Sequence, residues 1–356
     1  MSKSNSIFIK NIYYMLSYAF TTLNHSNYDE VAKEDFDNIH NLFAAILAKG
    51  IGQQLKQGLY REYLNQYEDL SVMRGKIDMA GTFKNKLARK QMLACEFDEL
   101  SENNQLNQIL KTTVMLLLRT TGVDAEYKDV LKKEMLFFAS IDTLELSTIK
   151  WATIRFHRSN QNYRMLISLC QLIVEGMLIT TDKGEYKLAS FIDEQRMSRL
   201  YEKFILEYYI KEFPQIRATS SQIPWALDDD VRAMLPVMQS DIMLSNRGTV
   251  LIIDAKYYSR TTQVQYDIHT LHSHNLYQIF TYVKNKTEEQ RALQRTVSGM
   301  LLYARTNESI QPDGKSYQMS GNRVTVDTLN LNCEFSVISA QLNSIVCEHF
   351  ALDATG

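Results

Sequence analysis

The sequence predicts an α+β module, in which helices accompany a small antiparallel sheet, followed by an α/β domain. Three observations carry this. Through the first 200 residues there is no proline, and apolar residues recur at helical spacing except near 58–99, where shorter segments of strand character intervene. All four prolines, Pro214, Pro224, Pro236 and Pro312, fall in the C-terminal half. From 194 onward the patterns run helix, strands, helix, strand. A chain of 356 residues has room for two domains of ordinary size, and they are expected as 1–155 and 156–356, with no Pro- or Ser-rich linker to mark the join.

In chain order, Ile12, Leu16, Ala19 and Phe20 define a helix over 8–22, and Phe36, Ile39, Leu42, Phe43, Ile46 and Leu47 a second over 35–57. Residues 61–71, 72–83 and 91–100 read as short strands, although 79–94 also admits a helix. Arg74-Gly75-Lys76 lies in the second of these, and the basic segment Lys84, Lys86, Arg89, Lys90 follows it. Ser101 is expected to cap a helix over 103–120, built on Leu106, Ile109, Leu110, Val114, Leu117 and Leu118. Helices are expected at 124–137 and 161–179, an irregular stretch at 142–162, and a loop at Asp182-Lys183-Gly184. The helix at 194–213 carries Glu202 and Glu207. A polar stretch at 259–275 leads into a helix with Leu276, Ile279, Phe280 and Val283 on its apolar face. A strand at 297–304, strands near 315–331 and a helix at 335–350 close the chain.

Composition narrows the function classes. Hydrophobic residues at 45% and charged residues at 22% describe a soluble globular protein. No apolar run reaches the roughly 18 residues that span a bilayer, and the N-terminus lacks a signal-peptide pattern, so a cytoplasmic location without membrane contact is expected. Cys95, Cys170, Cys333 and Cys347 form no CxxC pair, which argues for free thiols. With a net charge of −2, any grip on nucleic acid must be local or shared with a partner. His269, His272 and His274 have chelating spacing but no fourth soft ligand nearby, and a loop near DNA suits them better than zinc. There is neither a GxSxG elbow nor a GxxxxGK[ST] phosphate loop.

The chemistry concentrates between Gln239 and Tyr258. A turn at 246–248 and a β-branched run from Val250 to Ile253 predict a hairpin that brings Asp241 beside Asp254. Strand alternation places Asp254 and Lys256 on one face. Two carboxylates and an ammonium at a strand end suffice to hold a divalent cation and steer a water. Mutual neutralisation of Asp254 and Lys256 is the plainer alternative. Gln278 and Tyr282, four apart, share a face of the next helix.

Asp241 followed by Asp254-Ala255-Lys256 resembles the PD-(D/E)XK nuclease superfamily, and Gln278 with Tyr282 is similar to the QxxxY motif of its RecB-like branch. Asn11-Ile12-Tyr13-Tyr14-Met15-Leu16, Tyr18-Ala19, Arg74-Gly75-Lys76-Ile77, the DAKYY at 254–258 and the NLYQ at 275–278 together resemble the McrC family, the nuclease subunits of McrBC modification-dependent restriction systems, over almost the whole chain. The resemblance implies a restriction-endonuclease-like fold for 156–356. It implies Asp241, Asp254 and Glu202 as Mg2+ ligands, Lys256 as the cation that positions water, and Gln278 as a residue orienting the site. Tyr282, Arg74 and Lys76 become candidate DNA or partner contacts. It further implies an McrB-like AAA+ GTPase ring that binds the GTP and reads methylated cytosine in double-stranded DNA, with 1–155 docking on that ring and stimulating its hydrolysis. Ser240 stands where the motif's proline would be. Two other readings compete: a regulatory adaptor without catalysis, and a stand-alone RecB-like nuclease.

Overall fold

The computed structural model describes residues 3–20, 36–180, 186–188, 192–229, 231–258, 261–265, 268–306 and 308–351. The chain forms two compact units, Met1–Leu42 with Ser190–Gly356, and Phe43–Ala189. They part at places other than the 155/156 join expected from the sequence.

Helix α1 (Lys3–Ala19) is followed by α2 (Ile39–Gln57), within which the first division falls. The 43–189 unit continues with β1 (Glu62–Leu70), β2 (Lys76–Ile77), α3 (Met79–Leu87) and β3 (Leu93–Ser101), the strands forming an antiparallel sheet in the order β1-β3-β2. The strand expected over 72–83 is thus cut to two residues. Asp78 ends it, because its carboxylate accepts from the amides of Ala80 and Gly81 and starts a helix instead. Helix α4 (Gln105–Arg119) is capped by Asn104, whose side chain accepts from the Asn107 amide at 3.3 Å. Ser101, the expected cap, accepts from the Asn103 amide at 3.0 Å, one turn too early. Helices α5 (Ala125–Met135) and α6 (Tyr163–Met177) follow, with short 3-10 turns between them, then the hairpin β4 (Leu178–Thr180) and β5 (Tyr186–Leu188). The expected loop at 182–184 lies outside the described residues.

The other unit resumes with α7 (Glu194–Glu212), capped by Asp193. Strands β6 (Arg217–Thr219), β7 (Gln222–Ile223), β8 (Met238–Gln239), β9 (Ile242–Asn246), β10 (Thr249–Lys256), β11 (Thr262–Gln265) and β12 (Ile268–Leu271) precede α8 (Ser273–Gln290). The hairpin β11–β12 occupies part of what reads as a polar linker. Strands β13 (Thr296–Ala304), β14 (Lys315–Met319) and β15 (Asn322–Leu329) and helix α9 (Phe335–Phe350) complete the unit. Six strands form one mixed sheet in the order β14-β15-β13-β10-β9-β6, with β10, β13 and β15 parallel. The mixed α/β order expected from 194 onward is therefore what forms.

Strand β10 is buried from Val250 through Ala255, as its apolar run requires. Its even-numbered residues Val250 and Ile252 pack with Leu301 and Tyr303 of β13 and with Ile279 and Val283 of α8, the crossover helix. Gly299 lets that helix lie close: a Cβ there would stand 2.7 Å from Val283 Cγ2 and 2.9 Å from Ile279 Cγ1. Helix α1 belongs to this unit, where its aromatic residues pack, the Tyr18 ring lying 5.7 Å from Phe204 and 5.2 Å from Tyr208 of α7.

Candidate active site

The β9–β10 hairpin closes through Arg247 and Gly248, with Asn246 paired to Thr249 and Ile242 to Ile253. Arg247 sits in the left-handed region at φ 38°, which a tight turn of this kind demands. This register carries Asp241, one residue before β9, to the end of β10, where its Oδ2 accepts from the Ala255 amide at 3.0 Å. Lys256 Nζ donates to Asp254 Oδ1 at 2.9 Å. The hairpin thus assembles Asp241, Asp254 and Lys256, as the sequence leads one to expect.

The corner is nearly dry. Asp254 is 1% exposed, Lys256 13% by its side chain, and Asp254 Oδ2 is buried without a hydrogen-bond partner among the described residues. Burial pushes the Asp254 carboxyl well above the usual carboxylate range, Lys256 pulls it back, and the charge of Asp241 pushes it further up. For Lys256 the balance reverses: burial lowers the ammonium, but Asp254 and Asp241 together outweigh it and the net direction is up. Glu202 of α7 is raised by its own burial first and then by Asp241, and it also interacts with Lys256. Its Oε1 accepts from Ser198 Oγ at 3.0 Å. Among the described residues no three His, Cys, Asp or Glu side chains form a group that would hold a metal by themselves.

The other expected site residues lie as follows. Gln278 donates to Tyr282 Oη at 3.0 Å, and this bond is to its helix neighbour rather than to either carboxylate. Arg74 and Lys76 belong to the 43–189 unit, where Arg74 lies 4.0 Å over the Phe97 ring and pairs with Glu99 at 3.2 Å, and Lys76 stands 4.0 Å from Glu96. His269 Nδ1 lies 3.1 Å from Thr262 Oγ1, and His272 stands edge-on to Tyr258 at 5.5 Å. Sequence reasoning missed Asn275, Tyr258 and Tyr303. Asn275 donates to Tyr303 Oη at 3.0 Å and accepts from Tyr258 Oη at 3.3 Å, beside the carboxylate–lysine corner. Asn275 and Tyr258 fall within the NLYQ and DAKYY segments, the only signal available.

The fold and this corner define a mixed α/β protein that gathers two acids and a lysine at the end of a central parallel strand. A family profile described as "McrBC 5-methylcytosine restriction system component" matches residues 3–304, and the chain belongs to that family. It is 27% identical over 345 residues to the "Type IV methyl-directed restriction enzyme EcoKMcrBC" of Escherichia coli (strain K12), covering 96% of this chain and 97% of that one. Its fold is similar to a chain in the "Refined half-complex from tetradecameric assembly of Thermococcus gammatolerans McrB AAA+ hexamers with bound McrC", with a TM-score of 0.52 and 18% identity over 95% of this chain and 76% of that chain. The family resemblance read from short motifs is therefore correct. No helix among the described residues is long and apolar enough to cross a membrane.

Proposed function

We propose that this chain is the Mg2+-dependent endonuclease subunit of a GTP-dependent restriction complex, one that hydrolyses phosphodiester bonds in double-stranded DNA bearing modified cytosine and stimulates its partner's GTPase. One observation carries the catalytic part: a carboxylate buried at a strand end, with one oxygen on Lys256 and the other, Oδ2, without a hydrogen-bond partner among the described residues, beside a second carboxylate. An ion pair alone leaves that oxygen unsatisfied, at a cost of about 1–3 kcal/mol, which a bound cation, or a proton shared with Asp241, would relieve.

The donor set fits magnesium. That ion is commonly held by one or two carboxylates and completed by waters and substrate phosphate, so an all-protein cage of three acids is not needed. Asp241 and Asp254 would hold it, with Glu202 in electrostatic reach. Bound there, the cation would neutralise charge at phosphorus and acidify a water. The chain's own residues do the rest. The Ala255 amide fixes Asp241, Asp254 fixes the Lys256 head, and Lys256 presents a proton-donating cation to the attacking water or the phosphate. The β9–β10 hairpin, the crossover helix α8 and the parallel β13 support a PD-(D/E)XK reading of this unit.

The partner reading draws on relatives: the E. coli protein is a methyl-directed restriction enzyme, and the archaeal structure holds McrC bound to McrB AAA+ hexamers. The present sequence has no phosphate loop, so GTP would bind the partner. Docking falls to the N-terminal part, within 1–155. There Tyr63, Tyr67, Met79, Phe83 and Leu87 are all more exposed than buried, an apolar display that favours a protein partner. The same display supports the adaptor alternative.

The test is cleavage of methylated plasmid by the assembled complex with GTP and Mg2+. Asp254→Ala and Lys256→Ala are expected to lose cutting while still stimulating the partner's GTPase. Cutting at wild-type rate by the Asp254→Ala complex overturns the catalytic assignment. A wild-type chain that stimulates GTP hydrolysis and never cuts establishes the adaptor.

A further inference from the structure

We propose that Asn275 is the positioning residue of this site: by bridging Tyr258 and Tyr303 it holds the end of β10, and with it Lys256, in place. The proposal rests on the endonuclease reading above. Among the described residues Asn275 hydrogen-bonds to neither carboxylate; it acts through the two tyrosines.

In the parallel pairing of β10 with β13, Lys256 is the register partner of Tyr303. Register partners on adjacent strands project to the same face, so the Tyr303 side chain leaves the sheet beside that of Lys256. This is the face that α8 covers. Asn275 lies in the first turn of α8 at 0% exposure, and its Nδ2 donates to Tyr303 Oη at 3.0 Å. Its Oδ1 accepts from Tyr258 Oη at 3.3 Å. Tyr258 lies two residues past Lys256, beyond the point where the β10–β13 pairing ends. One amide therefore links three segments around the lysine: the chain leaving β10, the neighbouring strand and the crossover helix.

The choice of residue needs a reason. On the buried side of α8 a leucine would pack, whereas an amide costs desolvation unless both of its ends are paired. Here both ends are paired, each to a hydroxyl from a different segment. A buried amide paired at both ends restricts the arrangements its partners can take, where apolar packing tolerates several. Lys256 has need of such a restraint. Its stem has four flexible carbons, and Asp254 fixes only the head. The stem's root sits on the last paired residue of the strand, where backbone hydrogen bonding gives out. Burial pushes the Tyr303 hydroxyl up to about 12, so at neutral pH it is the uncharged oxygen that accepts from Asn275.

The experiment compares Tyr258→Phe, Tyr303→Phe, Asn275→Ala and the Asn275→Ala/Tyr303→Phe double variant by two measurements. The first is single-turnover cutting by the complex as a function of DNA concentration. The second needs no activity: trace acetylation of the isolated full chain with acetic anhydride, followed by mass spectrometry of the peptides containing Lys256 and the exposed Lys315. Each single variant is expected to slow cutting roughly 10- to 100-fold, the scale of a reacting group displaced by about an ångström. Half-saturating DNA should stay within about twofold, and the double variant should be no slower than Asn275→Ala, as for residues acting as one unit. Lys256 acetylation should rise severalfold while that of Lys315 is unchanged. Should Asn275→Ala fail to fold, the two Tyr→Phe changes, each removing one oxygen, decide alone. Wild-type acetylation of Lys256 in both tyrosine variants overturns the proposal, whatever happens to cutting. If the wild-type complex does not cut, the endonuclease reading falls, and the acetylation result still decides whether Asn275 positions Lys256.

Discussion

Lys256 Nζ stands 2.9 Å from one oxygen of Asp254, while the other oxygen of that carboxylate is buried with no partner among the described residues. The ammonium therefore satisfies one oxygen of that acid and leaves the other to be satisfied by something else. A second cation on the free oxygen would relieve both the desolvation and the repulsion from Asp241 that raise the Asp254 carboxyl.

The first prediction follows from that imbalance. MgCl2 should raise the thermal midpoint of the wild-type chain, because a ligand that binds only the native state stabilises it, by about 2.7 kcal/mol at a hundredfold excess over its Kd. Asp254→Asn keeps the shape and removes the charge, and its midpoint should not respond. Scanning fluorimetry of both proteins across a magnesium titration is the measurement. Equal responses would place the ion elsewhere.

A second prediction concerns the helix behind the site. An alanine methyl at Gly299 would meet Val283 and Ile279 at 2.7 and 2.9 Å, inside contact distance. The added methyl would press on this face of α8, so Gly299→Ala should cost about 1–3 kcal/mol, the usual penalty of overpacking a filled core. Displacing α8 would carry Asn275 and Gln278 away from β10 and should depress cutting. Urea denaturation reads the first effect, and an unchanged midpoint would mean that the sheet and helix yield more easily than their packing suggests.

Why some of this was legible in the sequence and some was not has physical reasons. The convergence of Asp241, Asp254 and Lys256 was readable because a tight hairpin fixes register and alternation fixes the face, both of them local rules. The home of α1 was not, because periodicity shows that a helix has an apolar face and not which distant segment covers it. Segment 79–94 was ambiguous until Asp78 capped a helix there. Asn275 and Tyr303 stayed hidden for opposite reasons. A polar residue in a helical pattern reads as solvent-facing, and a tyrosine in the run Met300–Ala304 reads as core. Their function lies in a bond between elements that no spacing rule connects.

The third prediction is a pH dependence in the 43–189 unit. Burial pushes Glu134 of α5 from 4.5 up to about 8, and its Oε2 is buried without a partner among the described residues. The folded chain then holds a proton that the unfolded chain releases above the ordinary carboxylate range. The resulting stability is fully present below pH 4.5 and is lost as pH rises through about 8. Glu134→Gln is neutral at every pH. Wild type and variant should therefore unfold alike in acid, and the variant should be the more stable at pH above about 8. Parallel stability curves across that range would contradict it.

The last prediction tests why the chain's first helix belongs with its last. Asn11, 2% exposed, donates from one nitrogen to the Leu331 carbonyl at 2.8 Å and the Cys333 carbonyl at 2.7 Å, in the segment that joins β15 to α9. Nearby, the Tyr14 ring stacks on Phe335 at 4.3 Å. Asn11→Ala removes the donor from both carbonyls, at a cost of about 1–3 kcal/mol for each buried group left unpaired. Asn11→Asp should be worse than Ala at neutral pH, since it sets a carboxylate against two carbonyl oxygens and supplies no donor. The order wild type, Asn11→Ala, Asn11→Asp in falling denaturation midpoint is therefore expected, and acid that protonates the aspartate should narrow the gap between the two variants. Because α1 packs in the unit that carries Asp254, loss of cutting in these variants should track loss of folded protein. An Asn11→Ala chain with a wild-type midpoint but no stimulation of the partner's GTPase would instead assign the segment to docking.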